Sequence, residues 1–442
     1  MIFAALAAAA IYFFAVEEPA RRRASRERIS SRRLLPYGPA DVDEIALLNP
    51  YGETIMMERR RGSWRITWPV EDAGSVSTIE MFLSQIVPGQ RLAEYEGVED
   101  FAPYGLDTPY ATVILHSQVY GRRDTVHVGD KTPTSFRAYL RLGDSDDVIV
   151  TRELARNVMQ KTLYHLRDKN LLHVDSKDVV SLSVVSPGSR IDLERSGGFW
   201  LVSGTSLRAD RAVIEPWLSG IESGLIYEFA AEDTTAAEAF GIGDPPRSVV
   251  LSTGSGSTRV EFGDLREDRV AAVVDGRNKV LMTEKAHADV FDWVRSGLLV
   301  MNLSLTPPGD VRGLLWESPD TSLALSLEEG SWSVSNGGGA AAVEGEAVKY
   351  LLMLTRSTSF EEIASDPGLL SRLPEAPSVR ITLEGPGDSV LDVISIYRIP
   401  GGGPVGTSLS AGNAGYIRAG RLAELERAFS LIGGAPGAGR PF

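Results

Sequence analysis

A Gly-x-Trp tripeptide that occurs three times constrains the fold of this chain more than any other feature. The copies occupy residues 62–64, 198–200 and 330–332, which places their tryptophans 136 and 132 residues apart. Each copy lies between two short runs that are typical of β-strands. Glycine favours a tight hairpin turn, and tryptophan suits a half-buried strand position. We therefore predict one hairpin repeated three times, with Trp64, Trp200 and Trp332 as its defining structural residues.

The patterns around these hairpins divide the chain into three units. A helical pattern, a loop, further strands and a closing helix follow each hairpin in the same order. The predicted units span residues 41–175, 176–305 and 308–433, the third being the most degenerate, and residues 434–442 form a flexible tail. Each unit is the size of a domain and far exceeds a solenoid repeat of roughly 20–50 residues. The predicted fold class is α+β: three tandem repeated domains, each an antiparallel sheet with helices packed on one face, after an N-terminal transmembrane helix.

The sequence also predicts where the first helix of the first unit begins. Apolar residues recur at helical spacing between residues 76 and 86. Ser77 and Glu80 stand three residues apart at the beginning of this run, which is the spacing of a capping box. We therefore expect Glu80 to bind the backbone at the helix start.

Charge and cysteine content exclude several classes of function. Residues 1–33 carry seven arginines and three glutamates, so the net charge of −14 divides into +4 for this segment and −18 for the remainder. An acidic body argues against nucleic acid as a partner, because phosphate binding needs a basic face. The chain has no cysteine, which excludes disulfides, thiolate nucleophiles and cysteine-based zinc sites.

The N-terminal segment predicts attachment to a membrane. Residues 1–16 form a continuous apolar run, and an Arg-rich segment at residues 17–40 reads as a juxtamembrane linker. Sixteen helical residues span roughly 24 Å, slightly less than a typical bilayer core needs. We interpret the run as a single-pass anchor, with a cleaved signal peptide as the alternative. The arginines after the run favour a cytoplasmic body under the positive-inside rule.

No motif predicts a catalytic, cofactor-binding or metal-binding residue. His116 and His127 lie on adjacent predicted strands, residues 144–147 suggest a hairpin turn, and the glycine-rich string at 401–406 is not followed by a helix. The most distinctive polar stretch is Gly129-Asp-Lys-Thr-Pro133. Its Asp130, Lys131 and Thr132 either shape a turn or contact a partner, and we keep them as candidate partner contacts.

The repeated tryptophans also have two interpretations. Trp64, Trp200 and Trp332 either pack in the core or line a sugar- or peptide-binding face. Their recurrence at the same hairpin position in each unit favours the core.

Six short motifs form a series along the first unit: Leu34-Leu-Pro-Tyr37, Asp41-Val-Asp-Glu-Ile45, Gly62-Ser-Trp64, Tyr104-Gly-Leu106, Gly129-Asp-Lys-Thr-Pro133 and Leu166-Arg-Asp-Lys169. This series resembles the bacterial domain-of-unknown-function family numbered 4340. The resemblance weakens over the second unit and is limited to the Gly-x-Trp tripeptide in the third. It implies a single-anchor envelope protein encoded beside ABC transporters of the gliding-motility-associated type, with its body outside the inner membrane. No catalytic residues are established for that family, so the resemblance implies none here.

Three hypotheses about function follow. The first is a non-enzymatic accessory subunit of an ABC-type transport system, anchored in the bacterial inner membrane, whose body binds the permease and ATPase subunits or the transported material. The second is an independent envelope binding or scaffolding protein, for example for cell-wall glycan or peptide. The third is a hydrolase with an unrecognised site. A pocket of several carboxylates with raised pKa values would support it.

Overall fold

The computed structural model describes residues 33–133, 136–243, 246–293, 295–335, 340–364 and 371–433. The described parts of residues 1–169 and of residues 170–442 form two compact units. The first unit contains one nine-stranded antiparallel sheet and the second contains two, which confirms the predicted α+β class with three antiparallel sheets. The predicted anchor and the predicted C-terminal tail lie outside the described residues. No helix in the described part of the chain is both long and apolar enough to span a bilayer.

The first sheet is built mainly of strands joined by short connections. Its strands are β1 (Glu44–Leu48), β2 (Thr54–Arg60), β3 (Ser63–Trp68), β4 (Asp72–Ala73), β5 (Ala93–Tyr95), β6 (Ala111–Ser117), β7 (Arg122–Lys131), β8 (Arg137–Leu142) and β9 (Val148–Arg152). Their order across the sheet is β4-β3-β2-β1-β6-β7-β8-β9-β5. The accompanying helices are α1 (Val76–Ile86), α2 (Leu154–Asn157) and α3 (Leu163–Leu166), with 3-10 turns at Pro39–Asp41, Ala102–Tyr104 and Val158–Gln160.

The second sheet repeats this arrangement. Its strands are β10 (Val179–Ser186), β11 (Ser189–Ser196), β12 (Phe199–Val202), β13 (Arg208–Ala209), β14 (Glu228–Ala231), β15 (Arg247–Thr253), β16 (Gly256–Arg266), β17 (Arg269–Val274) and β18 (Val280–Glu284). Its helices are α4 (Arg211–Glu222) and α5 (Arg295–Leu298), with 3-10 helices at Ser176–Asp178, Thr234–Phe240 and Lys285–Asp292. The strand order is β13-β12-β11-β10-β15-β16-β17-β18-β14, so each strand corresponds to the one nine places earlier.

The third sheet has the same topology. Its strands are β19 (Gly313–Ser318), β20 (Thr321–Glu328), β21 (Ser331–Ser335), β22 (Ala340–Ala342), β23 (Glu362–Ile363), β24 (Val379–Glu384), β25 (Val390–Arg398), β26 (Pro404–Ser408) and β27 (Ala414–Tyr416). Their order is β22-β21-β20-β19-β24-β25-β26-β27-β23. Its helices are α6 (Gly345–Ser357) and α7 (Ala419–Gly433), with 3-10 turns at Pro308–Asp310 and Pro386–Asp388. Buried residues of the second and third sheets form one continuous hydrophobic core.

The three Gly-x-Trp tripeptides form the predicted hairpins. Both residues of each two-residue turn have positive φ, as a type I′ turn requires: Arg61 and Gly62, Gly197 and Gly198, and Glu329 and Gly330. The tryptophans that follow are only 1%, 2% and 6% exposed. Burial assigns Trp64, Trp200 and Trp332 to the core and excludes a sugar-binding face made of their rings.

The first helix starts two residues earlier than the capping-box prediction requires, so that prediction is wrong. The N-cap of α1 is Ser75, whose side chain accepts a hydrogen bond from the backbone N–H of Thr78. Glu80 instead accepts a 2.8 Å hydrogen bond from Trp64 Nε1 and forms a 2.8 Å ion pair with Arg59. The guanidinium of Arg59 also lies 4.7 Å from the Trp64 ring centroid. The Glu80 carboxylate therefore binds Trp64 and Arg59 and not the backbone at the helix start.

The segment at residues 33–40 differs from the predicted linker. Leu34, Leu35 and Tyr37 are buried in the core of the first sheet. The Tyr37 hydroxyl donates a 2.8 Å hydrogen bond to Asp124, which ties the segment to β7. The folded part of the first unit therefore begins no later than Arg33, because apolar side chains in this segment supply part of its core.

Candidate functional site

The stretch predicted as a partner contact begins at an irregularity in the first sheet. The pairing of β7 with β8 shifts register between Val128 and Lys131, as at a β-bulge. Gly129 is buried there, and a Cβ at this position would lie 2.2 Å from the carbonyl oxygen of Tyr104. Asp130 packs against Gly105, where a Cβ would lie 2.6 Å from the Asp130 carboxyl carbon. The Gly-Asp pair therefore fixes the Tyr104 loop against the sheet.

The second sheet repeats this contact in detail. The β16–β17 pairing shifts register after Phe262. A Cβ on Gly263 would lie 2.1 Å from the carbonyl oxygen of Phe240, and one on Gly241 would lie 2.3 Å from Asp264. This recurrence gives the Gly-Asp pair a structural role in both sheets.

Lys131 and Thr132 lead from this bulge to the edge of the first sheet. Lys131 forms an ion pair with Glu153, and the backbone N–H of Thr132 donates to the carbonyl of Arg137 at 3.0 Å. The N–H of Glu153 donates to the carbonyl of Phe136 at 2.8 Å. These contacts hold the start of β8 beside the end of β9.

An open groove lies at this edge, which we call the edge groove. Its lining residues are Leu92, Phe136, Arg137, Arg152, Glu153, Leu154 and Asn157. Three of them are large apolar residues that expose 40% (Leu92), 85% (Phe136) and 48% (Leu154) of their surface. A smaller cleft beside it shares Arg152 and Leu154. Clustered exposed apolar side chains mark interaction sites more often than single ones do.

Two arginines give the edge groove a positive charge. Arg137 and Arg152 are directly opposite each other on β8 and β9, and both are exposed. Neither guanidinium has an ion pair or hydrogen bond with the part of the chain that the structure describes. The carboxylate that lines the groove, Glu153, is already paired with Lys131. Like charges directly opposite each other destabilise a strand pair.

The corresponding edge of the second sheet is built on the same backbone hydrogen bonds. Leu92 N–H donates to Val150 at 2.8 Å, and Tyr227 N–H donates to Met282 at 2.9 Å. The hydroxyl of Thr151 donates to the carbonyl of Gln90 at 3.0 Å, and that of Thr283 donates to Leu225 at 2.9 Å. These matches align Arg152 with Glu284, Arg137 with Arg269 and Ala155 with His287.

At this edge of the second sheet, the polar and charged side chains bind one another. Arg269 lies opposite Glu284 and stacks on Tyr227, with 3.8 Å from its guanidinium carbon to the ring centroid. The Tyr227 hydroxyl donates a 2.7 Å hydrogen bond to Glu284, which raises the pKa of the tyrosine. Aromatic ring, carboxylate and guanidinium thus form a closed network where the first sheet has an open groove.

A buried histidine fills the neighbouring space in the second sheet. His287 lies within hydrogen-bonding distance of Thr283 Oγ1 at 3.0 Å and of the Gly220 carbonyl at 3.2 Å. Burial lowers its pKa below the ordinary value of 6.5. In the first sheet Ala155 occupies this position and lines the smaller cleft.

The two strand histidines of the first sheet do not face each other. His127 is opposite Thr112, and His116 is opposite Arg123. His116 instead lies 3.6 Å from the Glu44 carboxylate. Within the described residues no group of three or more His, Asp or Glu side chains is arranged to hold a metal ion.

The described residues thus form three repeated antiparallel sheets, and the first sheet carries an exposed apolar groove with two arginines at its edge. Residues 64–203 match the family described as a domain of unknown function, DUF4340. The match covers most of the first sheet and the Gly-x-Trp hairpin of the second. A comparison with curated proteins gives no match.

Sequence reasoning missed Leu92, Phe136, Arg137, Arg152 and Leu154. These residues are scattered over more than sixty positions, and none belongs to a motif. The usable signal was a difference between repeats: arginine at 152 stands where the second repeat has glutamate at 284.

Proposed function

We propose that this protein is a non-enzymatic, membrane-anchored accessory subunit of an ABC-type transport system. Its repeated extramembrane domains would bind partner subunits, and residues 1–16 would hold it in the bacterial inner membrane with the body on the periplasmic side. The observation that carries the binding role is the edge groove of the first sheet, which combines exposed apolar side chains with two arginines that have no counter-charge among the described residues. The transporter as partner rests on the family resemblance.

The test is affinity purification of the full-length protein in mild detergent at native expression, with identification of the proteins that co-purify. We expect an ABC permease and its ATPase to be recovered with it. Recovery of this chain alone would overturn the proposal. A protein with its N-terminal 32 residues replaced by an unrelated transmembrane segment is the control, because it separates binding by the body from binding by the anchor.

A second candidate is the independent envelope scaffold that binds glycan. A tyrosine cluster in the first unit favours it: Tyr104 lies 5.8 Å from Tyr95 and 5.0 Å from Tyr139 between ring centroids. Sugar rings are bound through stacking on aromatic faces of this kind. Retention of the protein on purified cell-wall glycan, lost in Tyr95→Ala and kept in Tyr227→Ala, would favour this candidate over the transporter subunit.

A further inference from the structure

We infer that the edge groove binds an acidic, apolar segment of a partner protein, with Arg137 and Arg152 as the clamp for its carboxylates. This inference rests on the proposed function and names the chemistry of the partner at the same site. It begins with the arginine pair. Two guanidinium groups opposite each other, with no counter-charge among the described residues, gain most from an added anion.

The fold itself does not require this arginine pair. At the matching position of the second sheet, Glu284 faces Arg269, and Tyr227 completes the network. The same backbone therefore accommodates a neutral, closed edge. The open, doubly positive edge of the first sheet is a property of its side chains, which points to a ligand and not to folding.

The apolar side chains of the groove indicate that the ligand carries apolar groups as well as an anion. Leu92, Phe136 and Leu154 flank the arginines and are 40% or more exposed. A free phosphate or a bare carboxylate would leave these surfaces in water. A peptide segment with acidic and apolar residues at every second position would cover both features, because side chains two residues apart in an extended strand point to the same face.

The sheet edge favours an extended segment. β5 is the last strand in the order of the first sheet, and its three residues are exposed. Leu92, which lines the groove, immediately precedes it. Extended peptides bind to such edges by adding a strand, with side-chain pockets providing specificity.

Charge argues against two other occupants. Outside its first 33 residues the chain carries a net charge of −18. Two such bodies repel each other, and the same charge repels the body from an anionic membrane. A partner protein that presents one acidic segment fits the local positive charge without bringing a large negative surface near the acidic body.

The test uses the full-length protein in detergent and two fluorescein-labelled peptides, one of repeated Glu-Ser-Leu-Ser and the other of repeated Lys-Ser-Leu-Ser, which place the charged and apolar residues on one face of an extended strand. Fluorescence anisotropy should show binding of the glutamate peptide only. The double substitution Arg137→Glu/Arg152→Glu should weaken this binding at least tenfold, as should Leu154→Asp. The matched change in the second sheet, Arg269→Glu, should leave it unchanged.

Three outcomes would overturn the inference: no binding of the glutamate peptide, equal binding of both peptides, or equal effects of the first-sheet and second-sheet substitutions. Self-association or binding to phosphatidylglycerol vesicles that depends on the two arginines, without peptide binding, would also overturn it. If Arg137→Glu/Arg152→Glu fails to fold by circular dichroism, Arg137→Gln/Arg152→Gln replaces it.

The two proposals fail in different ways. If permease and ATPase co-purify equally with wild type and with the double-arginine variant, the groove inference fails and the proposed function stands. If the peptide binds as expected but neither subunit co-purifies with wild type, the proposed function fails and the groove remains a binding site for another acidic partner.

Discussion

The edge groove of the first sheet and its counterpart in the second sheet share a backbone but differ in their side chains. The first presents Arg137 opposite Arg152, and the second presents Arg269 opposite Glu284. A tyrosine bound to that glutamate and a buried histidine close the second edge, whereas leucine and alanine leave the first edge open. The comparison teaches that the repeated fold supplies a common framework, and that a few side-chain differences leave an open, positively charged groove at the edge of one copy.

The third sheet lacks several features that the first two sheets share. Leu327 stands opposite Trp332, in the position that Arg59 takes opposite Trp64 in the first sheet. Lys349 is the fifth residue of its helix, where α1 has Glu80. The β25–β26 pairing also runs without the register shift seen in the other two sheets. The strand order is nevertheless the same as in the other two sheets, because the strands keep their alternating apolar positions.

The largest expected effect comes from substitutions that disrupt the Gly-Asp contact, which the first two sheets share. Gly263→Ala and Gly129→Ala should each destabilise the protein by about 3 kcal/mol, because the added Cβ meets a backbone carbonyl and crowding of this kind is costly. Gly254→Ala is the control, since nothing lies within 4 Å of its Cβ position, and it should stay within about 0.5 kcal/mol. Urea unfolding measures all three. Equal stability of Gly263→Ala and Gly254→Ala would show that the Gly-Asp contact is not tight.

A second prediction separates the two sheets by their tryptophans. Glu80→Ala should cost about 2 kcal/mol, because it leaves the buried Trp64 Nε1 without its hydrogen bond. Glu215 is the fifth residue of α4, as Glu80 is of α1, and it forms ion pairs with Arg195 and Arg211. Glu215→Ala should cost only about 0.5 kcal/mol, because Trp200 Nε1 already lacks a partner within the described chain and only surface ion pairs are lost.

Glu80→Gln serves as the check on this difference, because it retains an acceptor for Trp64. It should recover at least half of the lost unfolding free energy. A Glu215→Ala variant as unstable as Glu80→Ala would contradict the distinction between the sheets.

A third prediction converts the open edge into the closed one. Leu92→Tyr/Arg152→Glu should recreate the tyrosine–glutamate–arginine network of the second sheet, with Arg137 in the place of Arg269. Binding of the acidic peptide should fall at least tenfold while the melting temperature holds or rises. Leu92→Phe/Arg152→Glu is the matched variant, because it lacks the hydroxyl that binds the carboxylate. Undiminished binding in the closed variant would show that the peptide binds elsewhere.

The smallest expected effect is a pH dependence confined to the second sheet. Because burial lowers the pKa of His287 below 6.5, the folded state favours the neutral ring. The stability that this provides is complete above about pH 6.5 and is lost as the pH falls from there towards the folded-state pKa, by at most about 1.4 kcal/mol per pH unit. The protection factors of the β18 amides, which correct exchange rates for their intrinsic pH dependence, should fall accordingly, and His287→Ala should remove this dependence. An unchanged pH profile in His287→Ala would assign the effect to other groups.

Local features were predictable from the sequence, and the edge groove was not. The hairpins at Gly62, Gly198 and Gly330 depend on neighbouring residues, so their turns follow from composition and spacing. The role of Glu80 depends on a tryptophan sixteen residues away, and a capping box fitted the local pattern equally well. The pairing of Arg137 with Arg152 depends on strand register, and Leu92 joins them only through the β5–β9 edge.

The most direct test of the central claim places a photo-crosslinking amino acid at matched positions of the two edges. Leu154 lines the edge groove, and Ala286 is its exposed counterpart in the second sheet. Irradiation of cells that carry each variant at native expression should crosslink position 154, and not position 286, to the permease of the ABC transporter, whose ATPase lies on the other side of the membrane. Equal crosslinking at both positions, or none at 154 while those subunits still co-purify, would contradict the assignment of the first-sheet groove as the binding site.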